Sequence, residues 1–210
     1  MGNEKTAGRG HTASHGRPTQ GLTVWFTGLS GAGKTTICRY VQMELLTRDL
    51  RVEVLDSGVV RTHLCKDLGF SEADRKENLR RMANVAGMLT RNGIIVLVAA
   101  ISPYRSSREK ARSAIGNFLE VYVNAPLSVC EQRDPKGLYH HARAGMIQGF
   151  TGVDAPYEAP LSPDVECLTA LESPRDSADK VIAAVLQFLS TSGKIVRNGR
   201  NVREAPSMPA

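Results

Sequence analysis

Residues Gly28-Leu29-Ser30-Gly31-Ala32-Gly33-Lys34-Thr35 match the phosphate-binding pattern G-x-x-x-x-G-K-[ST] in full. Leu22 to Thr27, just before it, is an apolar and β-branched run that reads as a strand. Thr36 to Thr47, just after it, carries Ile37, Tyr40, Val41 and Leu45 at helical spacing. Strand, glycine-rich turn and helix in that order form a P-loop. Glycines let successive backbone N–H groups turn inward on phosphate oxygens, and the helix adds the positive end of its dipole. The ATP-binding candidates are therefore Gly28, Leu29, Ser30, Gly31, Ala32, Gly33, Lys34, Thr35 and Thr36. Lys34 would reach the terminal phosphates, and the Thr35 hydroxyl would ligate Mg²⁺.

The rest of the chain continues the alternation. Arg51 to Leu55 reads as a second strand ending at Asp56, with a short helical piece from Arg61 to Leu68. Ser71 is an N-cap with Glu72 and Asp74 in the first turn of a helix to about Asn92, where Asn92-Gly93 stops it. Ile94 to Ile101 is apolar at consecutive positions, as in a central strand covered on both sides, and Pro103 ends it. A charged helix over Arg105 to Ile115, a strand over Phe118 to Asn124 and a short helix over Pro126 to Gln132 follow. Val165 to Leu168 is the last strand, and Pro174 to Leu189 an amphipathic helix. The fold class is α/β: a P-loop kinase-type parallel sheet of about five strands, helices on both faces, and ligands at the carboxyl ends of the strands. Residues 134–163 mix glycine, proline and polar residues without a strong period, and a loop of this length in a compact domain is usually functional.

Charge divides the chain. Of the formal +6, residues 1–20 carry +2 and residues 191–210 carry +3, so the body between them is nearly neutral. The expected organisation is a flexible basic arm over 1–20, one domain over 21–190 and a flexible basic tail over 191–210. A near-neutral body gives no reason to expect a nucleic-acid partner. His11 and His15 in the arm are expected to be solvated rather than to bind metal. Cys38, Cys65, Cys130 and Cys167 lie far apart without a C-x-x-C pair, and read as reduced thiols. The first twenty residues lack a signal-like apolar segment and no apolar run reaches membrane-spanning length, so the expectation is a cytoplasmic protein with no membrane association.

A P-loop leaves several enzyme classes open. The N-K-x-D segment of switch GTPases is missing, and the central strand ends Val98-Ala99-Ala100-Ile101-Ser102 rather than in the aspartate usual for motors. The available acid is Asp56, an arrangement that suits small kinases. Over residues 20–165 the chain resembles the adenylyl-sulfate kinase (APS kinase) family. Beyond the P-loop, the blocks that carry this are Lys66-Asp67-Leu68-Gly69-Phe70-Ser71, Asp74-Arg75 with Asn78 and Arg80-Arg81, Ile101-Ser102-Pro103-Tyr104-Arg105, Asp134-Pro135-Lys136-Gly137-Leu138-Tyr139, Gly149-Phe150-Thr151-Gly152 and Pro156-Tyr157-Glu158-Ala159-Pro160.

The resemblance implies transfer of the γ-phosphate of ATP, as its Mg²⁺ complex, to the 3′-hydroxyl of adenosine 5′-phosphosulfate. It also implies a homodimer, with ATP sulfurylase as a candidate partner. By the same resemblance Phe70 and Phe150 sandwich the acceptor's adenine, a task suited to flat apolar rings. Arg61, Arg75 and Arg105 stand near the phosphosulfate, where guanidinium forks fit oxyanions. Asn78, Ile101, Ser102, Gly137, Leu138 and Thr151 complete the acceptor site, Arg133 lies near the ATP base, and Lys136 is a lid lysine over the transferring phosphate. Ser102 matches a serine sometimes described as a phosphorylated intermediate, and a pocket-lining hydroxyl is its other reading. The catalytic set is Lys34, Asp56, Ser102 and Lys136, with Thr35 and Asp56 on the metal. His140 and His141 stand where lysines are frequent, and read as surface residues.

The chain departs from the family in one place. The family pattern is Asp-Gly-Asp, two residues and an arginine; here Asp56-Ser57-Gly58-Val59-Val60-Arg61 puts Gly58 where the second carboxylate belongs. That acid would support the metal or take the hydroxyl proton. Two readings follow: a working kinase in which Asp56 supplies the charge, or an impaired kinase fold that binds both nucleotides as a regulatory partner. A kinase for another hydroxylated acceptor is disfavoured by the blocks around Phe70, Phe150 and Lys136. The arm has no cysteine, so a thiol switch of the kind known in plant-type members is not expected.

Overall fold

The computed structural model describes residues 20–198. All of the expected arm except residue 20, and the tail beyond Asn198, lie outside them. The elements run β1 (Leu22–Thr27), α1 (Lys34–Leu46), β2 (Val52–Asp56), α2 (Ser57–His63), α3 (Glu72–Arg91), β3 (Ile95–Ala99), α4 (Arg105–Ile115), β4 (Phe118–Asn124), α5 (Leu127–Arg133), α6 (Leu138–Arg143), β5 (Val165–Leu168) and α7 (Pro174–Asn198). The five strands form one all-parallel sheet in the order β2-β3-β1-β4-β5.

Strand periodicity explains why both faces are covered. Leu22, Val24 and Phe26 of β1, with Ile95, Leu97 and Ala99 of β3, enter the core shared with α1 and α7. Trp25, with Val96 and Val98, enters a second core made with α3 and α4. Successive side chains point to opposite faces, so a strand buried on both sides must be apolar throughout. Burying a side chain such as Leu97 or Phe26 contributes roughly 1.5–3 kcal/mol. The two cores therefore fix the sheet, and the sheet places the carboxyl ends of β1, β2 and β3 side by side.

Three boundaries differ from expectation. The helix placed over Arg61 to Leu68 is α2 and begins at Ser57, because Asp56 caps it: its Oδ1 accepts from Gly58 N at 2.8 Å. The strand expected over Ile94 to Ile101 ends at Ala99, since the chain turns at Ser102, whose φ of 47° is left-handed. The last helix runs to Asn198, through Ser190-Thr191-Ser192-Gly193, a stretch of weak helix formers that read as its end. The long segment after α5 also contains the one-and-a-half-turn α6, started by Asp134, which accepts from Tyr139 N and His140 N at 3.1 and 3.0 Å.

Candidate active site

A cleft of about 1340 Å³ opens at the carboxyl edge of the sheet. Its floor is the P-loop. A Cβ on Gly28 would stand 2.4 Å from the Val123 carbonyl oxygen, and φ there is +149°, so the loop can approach β4 only with glycine at that position. Lys34 folds back over the loop, donating to the carbonyls of Gly28 (2.9 Å) and Leu29 (2.7 Å). Burial pushes its ammonium down to about 8 from an ordinary 10.5, against the opposing pull of Cys130 and Asp56.

Asp56, at the end of β2, does two jobs. One oxygen caps α2 and the other accepts from the Thr35 hydroxyl at 2.8 Å. A side chain begun at Gly58 would start 3.1 Å from Asp56 Oδ1 and 4.0 Å from Lys136 Nζ. The position that lacks a carboxylate therefore lies between the remaining acid and the ammonium of the long segment. Among the described lining residues the carboxylates are Asp56 and Glu172, facing Lys34, Arg39, Arg61, Arg75, Arg133 and Lys136. A cleft with that excess of cations favours polyanionic ligands.

On the side of α2 and α3, Phe70 is two-thirds exposed (66%), with the Arg61 guanidinium 4.6 Å from its ring centre. Asn78 is buried, its Nδ2 reaching Ser57 Oγ at 3.4 Å, while its Oδ1 has no hydrogen-bond partner among the described residues. A buried carbonyl left unpaired costs free energy, and a ligand donor entering the cleft would recover it. Arg75 spends its guanidinium on protein: Nε donates to Phe70 O (2.8 Å), Nη1 to Thr151 Oγ1 (2.7 Å) and Nη2 to Gly149 O. It ties the start of α3 to the 149–151 turn, which Asp154 holds by accepting from the amides of Gly149 and Phe150.

Arg133 and Thr169 close the opposite end. Arg133 Nη1 donates to Thr169 Oγ1 at 3.2 Å, and Thr169 donates to Ala32 O at 2.8 Å. Leu138 lines the cleft, and Tyr139 beside it donates to Ser30 O at 3.0 Å.

The structure thus gathers most of the sequence-derived set around one opening: Ser30 through Thr36, Asp56, Arg61, Phe70, Arg75, Asn78, Ile101, Ser102, Arg133, Lys136 and Leu138. Gly28 and Leu29 lie beneath it, with their carbonyls on Lys34. Other positions differ from the arrangement inferred by resemblance. Phe150 is 8% exposed and packs in the core, edge-on to Tyr139 at 5.0 Å, where its apolar ring is shielded; Phe70 lines the cleft and Phe150 does not. Arg105 lies off the cleft, in a smaller depression of about 280 Å³, donating from Nε to Ala159 O. Ser102 borders the cleft, but its hydroxyl is turned away: it accepts from Trp25 Nε1 at 2.8 Å and donates to Ala100 O at 3.3 Å. That hydroxyl is engaged by protein groups rather than offered to the cleft. Gly137 and Thr151 support neighbouring residues and are not in the wall.

Sequence reading passed over Thr169, Glu172 and Arg39, which line the cleft, and Arg108, which does not. Arg108 is 3% exposed and was detectable as a cation in step with Ala111 and Ile115 on the buried stripe of α4.

A profile of the family described as adenylylsulphate kinase matches residues 20–168. The chain belongs to the adenylylsulphate kinase family. The adenylyl-sulfate kinase of Microcystis aeruginosa is 60% identical over 162 residues, covering 77% of this chain and 90% of that one. The adenylyl-sulfate kinase of Halothermothrix orenii is 54% identical over 179 residues, 85% of this chain and 95% of that one. Among solved structures, the Mycobacterium tuberculosis APS kinase CysC in complex with AMPPNP and APS superposes with a TM-score of 0.77 at 46% identity, covering 80% of this chain and 99% of that one. The α/β architecture with its five-stranded parallel sheet is that of the APS kinase fold, and the chain is an ATP-dependent phosphotransferase of that family. No helix among the described residues is long and apolar enough to cross a membrane.

Proposed function

We propose that this APS kinase family member transfers the γ-phosphate of ATP to the 3′-hydroxyl of adenosine 5′-phosphosulfate, giving 3′-phosphoadenosine 5′-phosphosulfate and ADP. The observation that carries this is convergence. The P-loop, Phe70 and Asn78 open into one cleft that Asp56 and Lys136 also line, both within 4.0 Å of a Cβ at Gly58. In that reading the ribose oxygen attacks Pγ, the bond from Pγ to the β-bridging oxygen breaks, and the hydroxyl proton passes to Asp56 directly or through water. P-loop amides and Lys34 hold the donor phosphates, and Lys136 meets the charge that develops on the transferring group. Phe70 offers a ring face to the adenine, Arg61 faces the phosphosulfate, and Asn78 Oδ1 accepts from the acceptor nucleoside.

Mg²⁺ fits the oxygens present. A threonine hydroxyl and a single carboxylate, 2.8 Å apart at the P-loop, are the hard ligands this ion takes alongside nucleotide phosphates. When bound, it neutralises phosphate charge. Thr35 and Asp56 would hold it. Family membership also supports a homodimer, and the four buried, unpaired cysteines suit a reducing cytoplasm. Light scattering tests the dimer, and co-purification tests an ATP sulfurylase partner.

Gly58 supports a second reading, an impaired enzyme that binds both nucleotides. Incubation with MgATP and adenosine phosphosulfate, read by mass spectrometry, separates the two. A product 80 Da heavier than the acceptor, formed catalytically, supports the kinase. Normal binding of both ligands without product supports the regulatory protein.

A further inference from the structure

The turn after β3, Ile101-Ser102-Pro103, lines the same cleft as Asn78, yet its conformation is unfavourable. Ser102 sits at φ 47°, a left-handed backbone that persists in a serine only where the surroundings over-determine it. The surroundings centre on one side chain. Arg108 donates from Nη1 to Ser102 O (2.7 Å), from Nη2 to Glu158 O (2.8 Å) and from Nε to Glu120 Oε1 (2.6 Å). All three guanidinium nitrogens are used, each toward a different segment.

Other contacts reinforce the same junction. Glu158 N donates to Pro103 O at 2.8 Å, and the Glu158 carboxylate accepts from the Arg105 amide at the first residue of α4. Tyr157 shares a hydrogen bond of 3.0 Å with Thr27, which donates to Ile101 O at 2.7 Å. The 157–159 segment is thereby fastened behind Ile101-Ser102-Pro103. Arg108 itself does not reach the cleft.

We propose that Arg108 is a positioning residue: through Ser102 and Glu158 it holds the acceptor-side wall of the cleft in register, with Glu120 neutralising its buried charge. This rests on the assignment of that wall to the sulfonucleotide. A planar fork is required, because each acceptor is met by a different nitrogen of the guanidinium, and the three donors of an ammonium all start from one atom and cannot span the same width. The donor side is held by separate contacts, Lys34 on Gly28 and Arg133 on Thr169. Loss of the fork should therefore act on one substrate and not on the other.

The test compares the parent protein with Arg108→Lys, Arg108→Met and the double variant Arg108→Met/Glu120→Gln, which also removes the carboxylate left with Arg112 alone among the described residues, 3.9 Å away. Melting temperature, kcat, KM for each substrate and direct Kd for each nucleotide are measured. Arg108→Met should melt lower and the double variant should regain most of that loss. In the double variant and in Arg108→Lys, KM and Kd for adenosine phosphosulfate should rise about tenfold, with those for ATP within twofold. Acceptor constants within twofold of the parent in a folded variant, or equal weakening of both nucleotides, would overturn the role. If only Arg108→Lys folds, the same split in that variant decides. A parent that binds both nucleotides but makes no product would count against the kinase reading, while the Kd values still report on Arg108.

Discussion

Thr35 gives its hydroxyl hydrogen to Asp56 at 2.8 Å, joining the first turn of α1 to the end of β2. The bond sits where the donor's terminal phosphates and the metal are proposed to lie. Asparagine at position 56 keeps one oxygen, enough to cap α2, but turns an NH2 group toward Thr35, whose hydroxyl must then accept instead of donate, and the charge is lost. Asp56→Asn should melt within about 2 °C of the parent, since asparagine caps as well as aspartate. Its single-turnover rate should fall about a hundredfold, the scale of a lost acid–base or metal contact. An unchanged rate would remove Asp56 from the reaction.

Gly58→Asp puts a carboxylate where a Cβ would stand 3.1 Å from Asp56 Oδ1 and 4.0 Å from Lys136 Nζ. Two carboxylates this close repel, and a divalent cation or the lysine must offset that. The variant is expected to melt lower than the parent in chelator and to recover with Mg²⁺. Its single-turnover transfer should be about tenfold faster or more, since a missing acid contact commonly costs that much. Equal rates would mean that Asp56 alone suffices.

Lys34 carries a pH dependence of definite sign. Its folded value, about 8, lies below the 10.5 of an unburied lysine, so between those values the unfolded chain binds more protons. Its contribution to stability therefore rises with pH across that window, and below pH 8 the buried charge is a full penalty. Lys34→Met should melt higher than the parent at pH 7, with the gap narrowing toward pH 10. Triphosphate binding restores the charge. At pH 8.5, calorimetry in buffers of different ionisation enthalpy should show proton uptake on ATP binding by the parent and none of it in Lys34→Met.

Phe70 and Phe150 should separate cleanly. Phe70 is 66% exposed, so Phe70→Ala should leave melting nearly unchanged while weakening the sulfonucleotide about tenfold, the worth of a good aromatic stack. Phe150 is 8% exposed in the core, and Phe150→Ala should cost about 3 kcal/mol of stability. Parallel titrations of ligand and denaturant check both. A Phe70→Ala protein that binds the acceptor normally would remove Phe70 from the acceptor site.

What the sequence disclosed was local. The P-loop announces itself because strand, glycine turn and helix are contiguous, and Ile95 to Ala99 reads as a central strand because both of its faces are apolar. Asp56 was found as the acid at a strand end, but its capping of α2 was not, since the same residue type serves either purpose. For Arg108 the helical period shows burial beside Ala111 and Ile115 but not its partners, since Glu120 and Glu158 lie 12 and 50 residues away in the chain. Phe150 could be placed near Phe70 by resemblance, whereas its contact with Tyr139 depends on how α6 folds back onto the P-loop. Arg105 carries no mark that distinguishes a ligand-facing cation from one that grips a neighbouring loop.

The phenol of Tyr139 is moored to the Ser30 carbonyl. One end of the segment between α5 and β5 is thus anchored to the very loop that cradles the donor, and Tyr157 anchors the other end to β1 through Thr27. Arg75 adds a third tie between them, to Gly149 O and Thr151 Oγ1, so the segment crosses the molecule moored at three points. While those moorings hold, any travel of Lys136 over the donor is confined to the few residues between α5 and Tyr139.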